Sequence, residues 1–262
     1  MGCLCGSGGA GDTDNKVRYP TLEIECRNRN MHWRSMFTVA IFLFVFLCSP
    51  AWAVLEPNEE MPLVIHREMQ QIRIYGLIYP TRFNTAQGAE ARYHLLTWRD
   101  GRSTAALVET PVDDLKFYEA LITLRAQPGD NLSMAAWTQR SDPDSTAPHE
   151  KVQGSKLDVS VSWQGNIAGL PIDQVLLQPP VLTPQPPVAL YFGGNRDRWF
   201  NRIPLMPRPG CLICLYSCPS GKVSNGALSI ADYMVRPKRF SAKTELLPAD
   251  GTPVTLTVQV RP

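Results

Sequence analysis

Lys156-Leu157-Asp158-Val159-Ser160-Val161-Ser162-Trp163 alternates strictly, so Leu157, Val159, Val161 and Trp163 share one face of an extended chain. That is a half-buried strand. Val254-Thr255-Leu256-Thr257-Val258-Gln259-Val260 repeats the pattern behind the turn Pro248-Ala249-Asp250-Gly251-Thr252. A strong strand this close to the end implies that the chain closes its own sheet.

Further strands are legible upstream. Leu63-Val64-Ile65 forms one, and Ile72, Ile74, Gly76 and Leu77-Ile78-Tyr79 form another that ends at Pro80. Residues 93–98 and 104–108 flank Arg99-Asp100-Gly101-Arg102, where Asp-Gly supplies the positive-φ positions of a hairpin turn. Val188-Ala189-Leu190-Tyr191-Phe192 reads as a buried strand running into Gly193-Gly194-Asn195, preceded by a connector over 179–187 with five prolines.

One helix stands out, over 111–125. Thr110 suits the N-cap and Pro111 the first helical position, while Asp113 and Asp114 complement the positive end of the macrodipole. Leu115, Tyr118, Leu121 and Ile122 form its apolar stripe, and Pro128-Gly129 stops it. The expected fold class is therefore α+β: a mostly antiparallel β-sheet with one main amphipathic helix packed on it, burying both Tyr118 and Trp163. Residues 228–235 offer one or two further helical turns, and His149 lies in a polar loop over 141–154, where solvation is the plain expectation.

The chain has 262 residues, 44% of them hydrophobic, a formal net charge of +2, 23 prolines and 18 glycines. Such a balance points to a turn-rich globular protein and away from nucleic acid. No Ser/His/Asp constellation, P-loop, HExxH or CxxCH motif occurs, so hydrolase, nucleotide-dependent, zincin and c-type haem chemistries lose their usual support.

The first 53 residues divide in two. Residues 1–30 lack an apolar period and read as a disordered leader, and a second start at Met31 would leave them outside the natural product. From Met31 a short basic region with Arg34 precedes an apolar run over 37–48 and Ala51-Trp52-Ala53. This is a signal peptide, 31–53, cleaved after Ala53, because a membrane span needs about 20 apolar residues. Residues 54–262 then form one exported domain, periplasmic or secreted, whose contact with the membrane is limited to export.

The chemistry concentrates in Gly210-Cys211-Leu212-Ile213-Cys214-Leu215-Tyr216-Ser217-Cys218-Pro219. Removal of the leader leaves Cys211, Cys214 and Cys218 as the only cysteines. Their C-x2-C-x3-C-P spacing equals the last three cysteines and the proline of the bacterial ferredoxin run, whose thiolates hold 4Fe–4S clusters, with the first cysteine missing. On a strand Cys214 and Cys218 would share a face and Cys211 would point away. The flanking Pro209-Gly210 and Pro219-Ser220-Gly221 favour a loop or bent strand that wraps its sulfurs inward.

These motifs resemble those of the YdjY-domain family of exported bacterial proteins. The resemblance spans roughly 62–260 and rests on Gln127-Pro128-Gly129-Asp130-Asn131-Leu132, Trp163-Gln164-Gly165, Gly193-Gly194-Asn195, the cysteine block, Gly221-Lys222-Val223-Ser224-Asn225 and Leu247-Pro248-Ala249-Asp250-Gly251-Thr252. It implies a redox or metal-binding role at Cys211, Cys214 and Cys218, with an iron–sulfur cluster as cofactor, a redox partner protein, and no assigned reaction. Asp232, His94, His149 or another subunit would supply a fourth ligand. The alternative is an exported binding or structural module in which two of the three cysteines form a disulfide.

Overall fold

The computed structural model describes residues 55–88, 90–179, 187–194, 208–235 and 239–261. The readings made on residues 1–54, on most of the proline-rich connector and on Asn195 lie outside them. In chain order the strands are β1 (Leu63–His66), β2 (Gln71–Ile78), β3 (His94–Trp98), β4 (Val108–Thr110), β5 (Lys156–Trp163), β6 (Asn166–Pro171), β7 (Leu176–Leu177), β8 (Leu190–Phe192), β9 (Cys211–Cys214), β10 (Val223–Asn225), β11 (Ser241–Ala242) and β12 (Thr252–Val260). The α-helices are α1 (Pro80–Thr85), α2 (Asp114–Thr123), α3 (Ala135–Thr138), α4 (Ile172–Val175) and α5 (Ile230–Met234).

The alternating stretches form the spine. β12 lies between β2 and β5 and runs antiparallel to both, with Val258 opposite Ile72 on one side and Val159 on the other. Leu157, Val159, Val161, Val254, Leu256, Val258, Ile72, Ile74 and Ile78 are all buried, as the period of two requires. Trp163, at the end of its strand, is only half-buried against the rim of this core.

From the spine the sheet continues β5-β8-β10-β9-β3-β4 and returns to β2, closing an eight-stranded barrel. Leu77 pairs with Glu109 and Ile78 with Val108 to make the closure. The long strands divide their outer edges: β2 takes β1 along its first half and β4 along its last two residues. β5 likewise takes β8 at Lys156 and Leu157 and β6 further along.

This architecture corrects the α+β expectation. The sheet closes on itself and is mixed, because β9 runs parallel to β10 and β3 parallel to β4. Alternation identifies a strand but carries no information about its partner, which the closing of the ring decides. The Asp-Gly hairpin fails for the same reason. Arg102 and Ser103 donate their N–H groups to Arg208 and Pro209 carbonyls, so the turn pairs with the approach to β9. The chain then doubles back through Ala105 (φ 58) and β4 runs beside β3 in the same sense.

The helix expectation needs three corrections. α2 starts at Asp114, capped by the Asp113 carboxylate, which accepts from the N–H groups of Leu115 and Lys116 at 2.9 Å. Thr110 is instead the last residue of β4 and donates its hydroxyl to the Tyr75 carbonyl. The buried stripe is Phe117, Ala120 and Leu121, with Leu124 just beyond, whereas Ile122 is 42% exposed and Tyr118 only half-buried, edge-on to Phe192. The end is a Schellman turn: Ala126 N–H reaches the Leu121 carbonyl and Arg125 N–H that of Ile122, with Arg125 itself left-handed at φ 61.

Candidate metal centre

The parallel pairing of β9 and β10 builds the site. Parallel neighbours need a connection that travels back along the first strand, and residues 215–222 make that return without a helix. Their path lays Cys218 back over Cys211 and Cys214. Lys222 N–H closes the loop on the Cys211 carbonyl at 3.3 Å.

The Gly-Lys-Val-Ser-Asn run stitches the loop down. Ser224 Oγ accepts from Cys218 N–H at 3.3 Å, and Asn225 Nδ2 donates to the Leu215 carbonyl at 3.2 Å. Ser217 Oγ donates to the Asn225 carbonyl and accepts from Val152 N–H. Gly221 sits where a Cβ would come within 3.0 Å of Cys214 Sγ and 2.7 Å of Ser224 Oγ, so a side chain there would displace the sulfur.

On the other side β9 pairs with β3, and the register slips twice, between His94 and Leu96 and again between Leu96 and Thr97. Such irregularities break the alternation of side chains. Cys211 and Cys214, three residues apart, therefore aim at one point. His94 Nδ1 lies 3.6 Å from Cys214 Sγ, and the donor atoms of His94, Cys211 and Cys214 all lie within 4.8 Å of one another. Cys218, on the return loop, lies near enough to both other sulfurs to interact with them electrostatically but falls outside that 4.8 Å set. All four residues are buried. The three cysteines are free thiols, so the disulfide expected as the alternative is not formed.

Electrostatics separate the three sulfurs. Hydrogen bonds from Cys211 and Cys214, helped by His94 and a backbone N–H at Ser220, hold the Cys218 thiol well below its ordinary range, against the opposing effect of burial. Burial pushes Cys214 well above that range. For Cys211 a hydrogen bond with Cys214 acts downward, but its bond to Cys218 and burial outweigh it and the thiol is raised. Of the three, Cys218 is the sulfur whose surroundings most favour the thiolate. Ser103 Oγ, 3.0 Å from Cys211 Sγ, adds a further polar contact.

Around this lies an aromatic wall. Tyr93 stacks on Tyr216 at 5.2 Å and meets Trp137 and Tyr233 edge-on. Among the described residues its buried hydroxyl finds no nitrogen or oxygen partner, and burial beside the Cys218 and Cys214 sulfurs raises its pKa. A cavity of ≈ 100 Å³ reaches Cys211 and Cys218, lined by Glu90, Tyr93, Trp137 and Ser220 among others. Behind β9, Lys222 Nζ and Asp114 Oδ2, both fully buried, pair at 3.2 Å.

The structure brings together Cys211 and Cys214 and, of the expected fourth-ligand candidates, places His94 with them, while Cys218 lies outside this 4.8 Å set. Asp232 is instead the closing residue of the α5 capping box with Ser229, and His149 is exposed at the end of a 3-10 turn. Glu90, Tyr93 and Ser103 escaped sequence reasoning, since no motif links them to the cysteine block.

Fold and site together define a closed, mixed β-barrel protein carrying a buried thiol–imidazole cluster on one barrel strand, its neighbour and its return loop. The chain belongs to the YdjY domain family, whose model matches residues 63–259. It is 34% identical over 145 residues to the uncharacterized protein YdjY of Escherichia coli (strain K12), a match covering 55% of this chain. The chain thus spans 56%, little more than half, of that relative's length. No solved structure matches it significantly.

Proposed function

We propose that this protein binds a single thiophilic metal ion, with zinc the best fit, through His94, Cys211 and Cys214, with the neighbouring Cys218 as the fourth donor drawn in by the ion. The observation that carries the reading is the meeting of the Cys211 and Cys214 sulfurs with the His94 imidazole at one buried point, with Cys218 on the return loop beside them. Donors about 2.0–2.3 Å from a tetrahedral centre lie about 3.3–3.8 Å from one another. The His94–Cys214 separation of 3.6 Å falls in that range, and the His94/Cys211/Cys214 set stays within 4.8 Å. A 4Fe–4S cluster puts each thiolate on a different iron and spreads the sulfurs wider, so the donor set favours one ion over such a cluster.

Bound there, the ion would tie β3, β9 and the return loop to one centre and add its binding energy to folding. Zinc has no redox chemistry of its own, so this reading requires no electron-transfer partner. Export belongs to the same proposal, supported by the basic region, apolar run and Ala51-Trp52-Ala53 of the leader. An ion would keep three adjacent thiols from pairing in an oxidising compartment.

Anaerobic purification with metal analysis and thiol counting tests the reading. It expects a colourless protein with one zinc per chain, lost in Cys214→Ser. Brown protein with iron and acid-labile sulfide, or metal-free protein with an oxidised cysteine pair, would overturn it.

A further inference from the structure

Glu90 and His94 are four residues apart in a segment that enters a strand. Four residues of extended chain span about 13 Å, yet Glu90 Oε2 lies 3.1 Å from His94 Nε2. The chain achieves this by a tight turn. Tyr93 N–H reaches back to the Glu90 carbonyl at 3.2 Å, and Arg92 adopts φ 61, a left-handed conformation uncommon outside glycine. The turn is anchored from behind by Tyr233, whose hydroxyl donates to the Ala91 carbonyl at 3.2 Å.

The consequence is chemical. His94 is 2% exposed, and a buried imidazole nitrogen needs a partner. An ionised carboxylate can only accept, so Nε2 carries the proton that it donates to Glu90. In the neutral ring Nδ1 is then the bare nitrogen, and Nδ1 is the atom 3.6 Å from Cys214 Sγ. Without Glu90 either tautomer is open to the ring, and one of them buries an N–H against the sulfurs.

We propose that Glu90 is the positioning residue of the centre: it supplies no donor to the ion itself but, through His94 Nε2, selects the tautomer whose Nδ1 lone pair faces the Cys211 and Cys214 sulfurs. The strained turn at Arg92 is the backbone device that delivers it. This rests on the metal-binding reading above for its effect on affinity, though not for its effect on the tautomer.

The experiment uses Glu90→Ala and Glu90→Gln in the full chain. Zinc affinity is measured by competition with a chromophoric chelator, and the His94 imidazole nitrogens are observed by NMR in metal-free protein. Outer-shell partners of metal-bound histidines contribute about 10–100-fold in affinity, so Glu90→Ala should weaken zinc binding by that factor. Glu90→Gln, whose amide oxygen still accepts, should fall between Glu90→Ala and wild type. Metal-free wild type should show the proton on Nε2, and Glu90→Ala a mixture. Unchanged affinity in Glu90→Ala, or a wild-type proton on Nδ1, would overturn the proposal. Wild type that binds no zinc but shows the expected tautomer shift would refute the metal reading and leave the positioning role standing.

Discussion

Replacing Lys222 with methionine removes one member of a fully buried ion pair and keeps much of the side-chain volume. Lys222 Nζ and Asp114 Oδ2 are 3.2 Å apart with neither side chain exposed. At an effective dielectric of about 20 the attraction is about 5 kcal/mol. Among the described residues neither Asp114 oxygen accepts a well-aligned hydrogen bond, so the coupling is chiefly Coulombic. Loss of one partner from a buried pair costs about 3–5 kcal/mol, because the other charge stays behind. Arg208 Nη1, 3.0 Å from Asp114 Oδ1 and partly exposed, remains to compensate, which places Lys222→Met near about 3 kcal/mol, the lower end of that range. Urea unfolding of metal-free protein reads this as a lower midpoint at unchanged slope. The double variant Lys222→Met/Asp114→Leu should recover part of the loss, since no carboxylate is then stranded. A single variant within about 0.5 kcal/mol of wild type, the range of ordinary surface substitutions, would refute the reasoning.

Three other outcomes follow from the site and the helix. Small alkylating reagents should modify Cys218 first in metal-free protein and still do so at pH values where ordinary thiols are silent, because its neighbours depress its pKa and a cavity reaches it; peptide mapping after limiting reaction checks this. The depressed Cys218 contributes stability that is full above about pH 8.5 and is lost as pH falls through its folded value, while the raised Cys211 and Cys214 contribute stability that is full below about pH 8.5 and is lost as pH rises. The stability difference between metal-free wild type and Cys218→Ser, followed by urea midpoint against pH, should therefore shrink on the acid side. On α2, Phe117→Ala should cost about 3–5 kcal/mol and Ile122→Lys less than about 0.5 kcal/mol, the reverse of what the sequence stripe implies for Ile122; thermal or urea unfolding of both variants distinguishes the two faces.

By itself the sequence determined the strands whose signal is local. Residues 156–163 and 254–260 alternate because each buries one face, and that holds whichever partner each finds. The cysteine block was likewise legible as the candidate site, and two of its thiols, Cys211 and Cys214, do meet. The helix was legible in existence but not in phase. Its cap choice depended on Thr110 being taken up by Tyr75 in a strand, a contact 35 residues distant. The closed barrel, the two parallel pairings and the approach of His94 to Cys211 and Cys214 emerged only from the folded chain. His94 and Cys214 are 120 residues apart and meet because β3 and β9 pair with a slipped register. Register and closure are properties of whole strands competing for partners, and no local pattern of apolar residues encodes them.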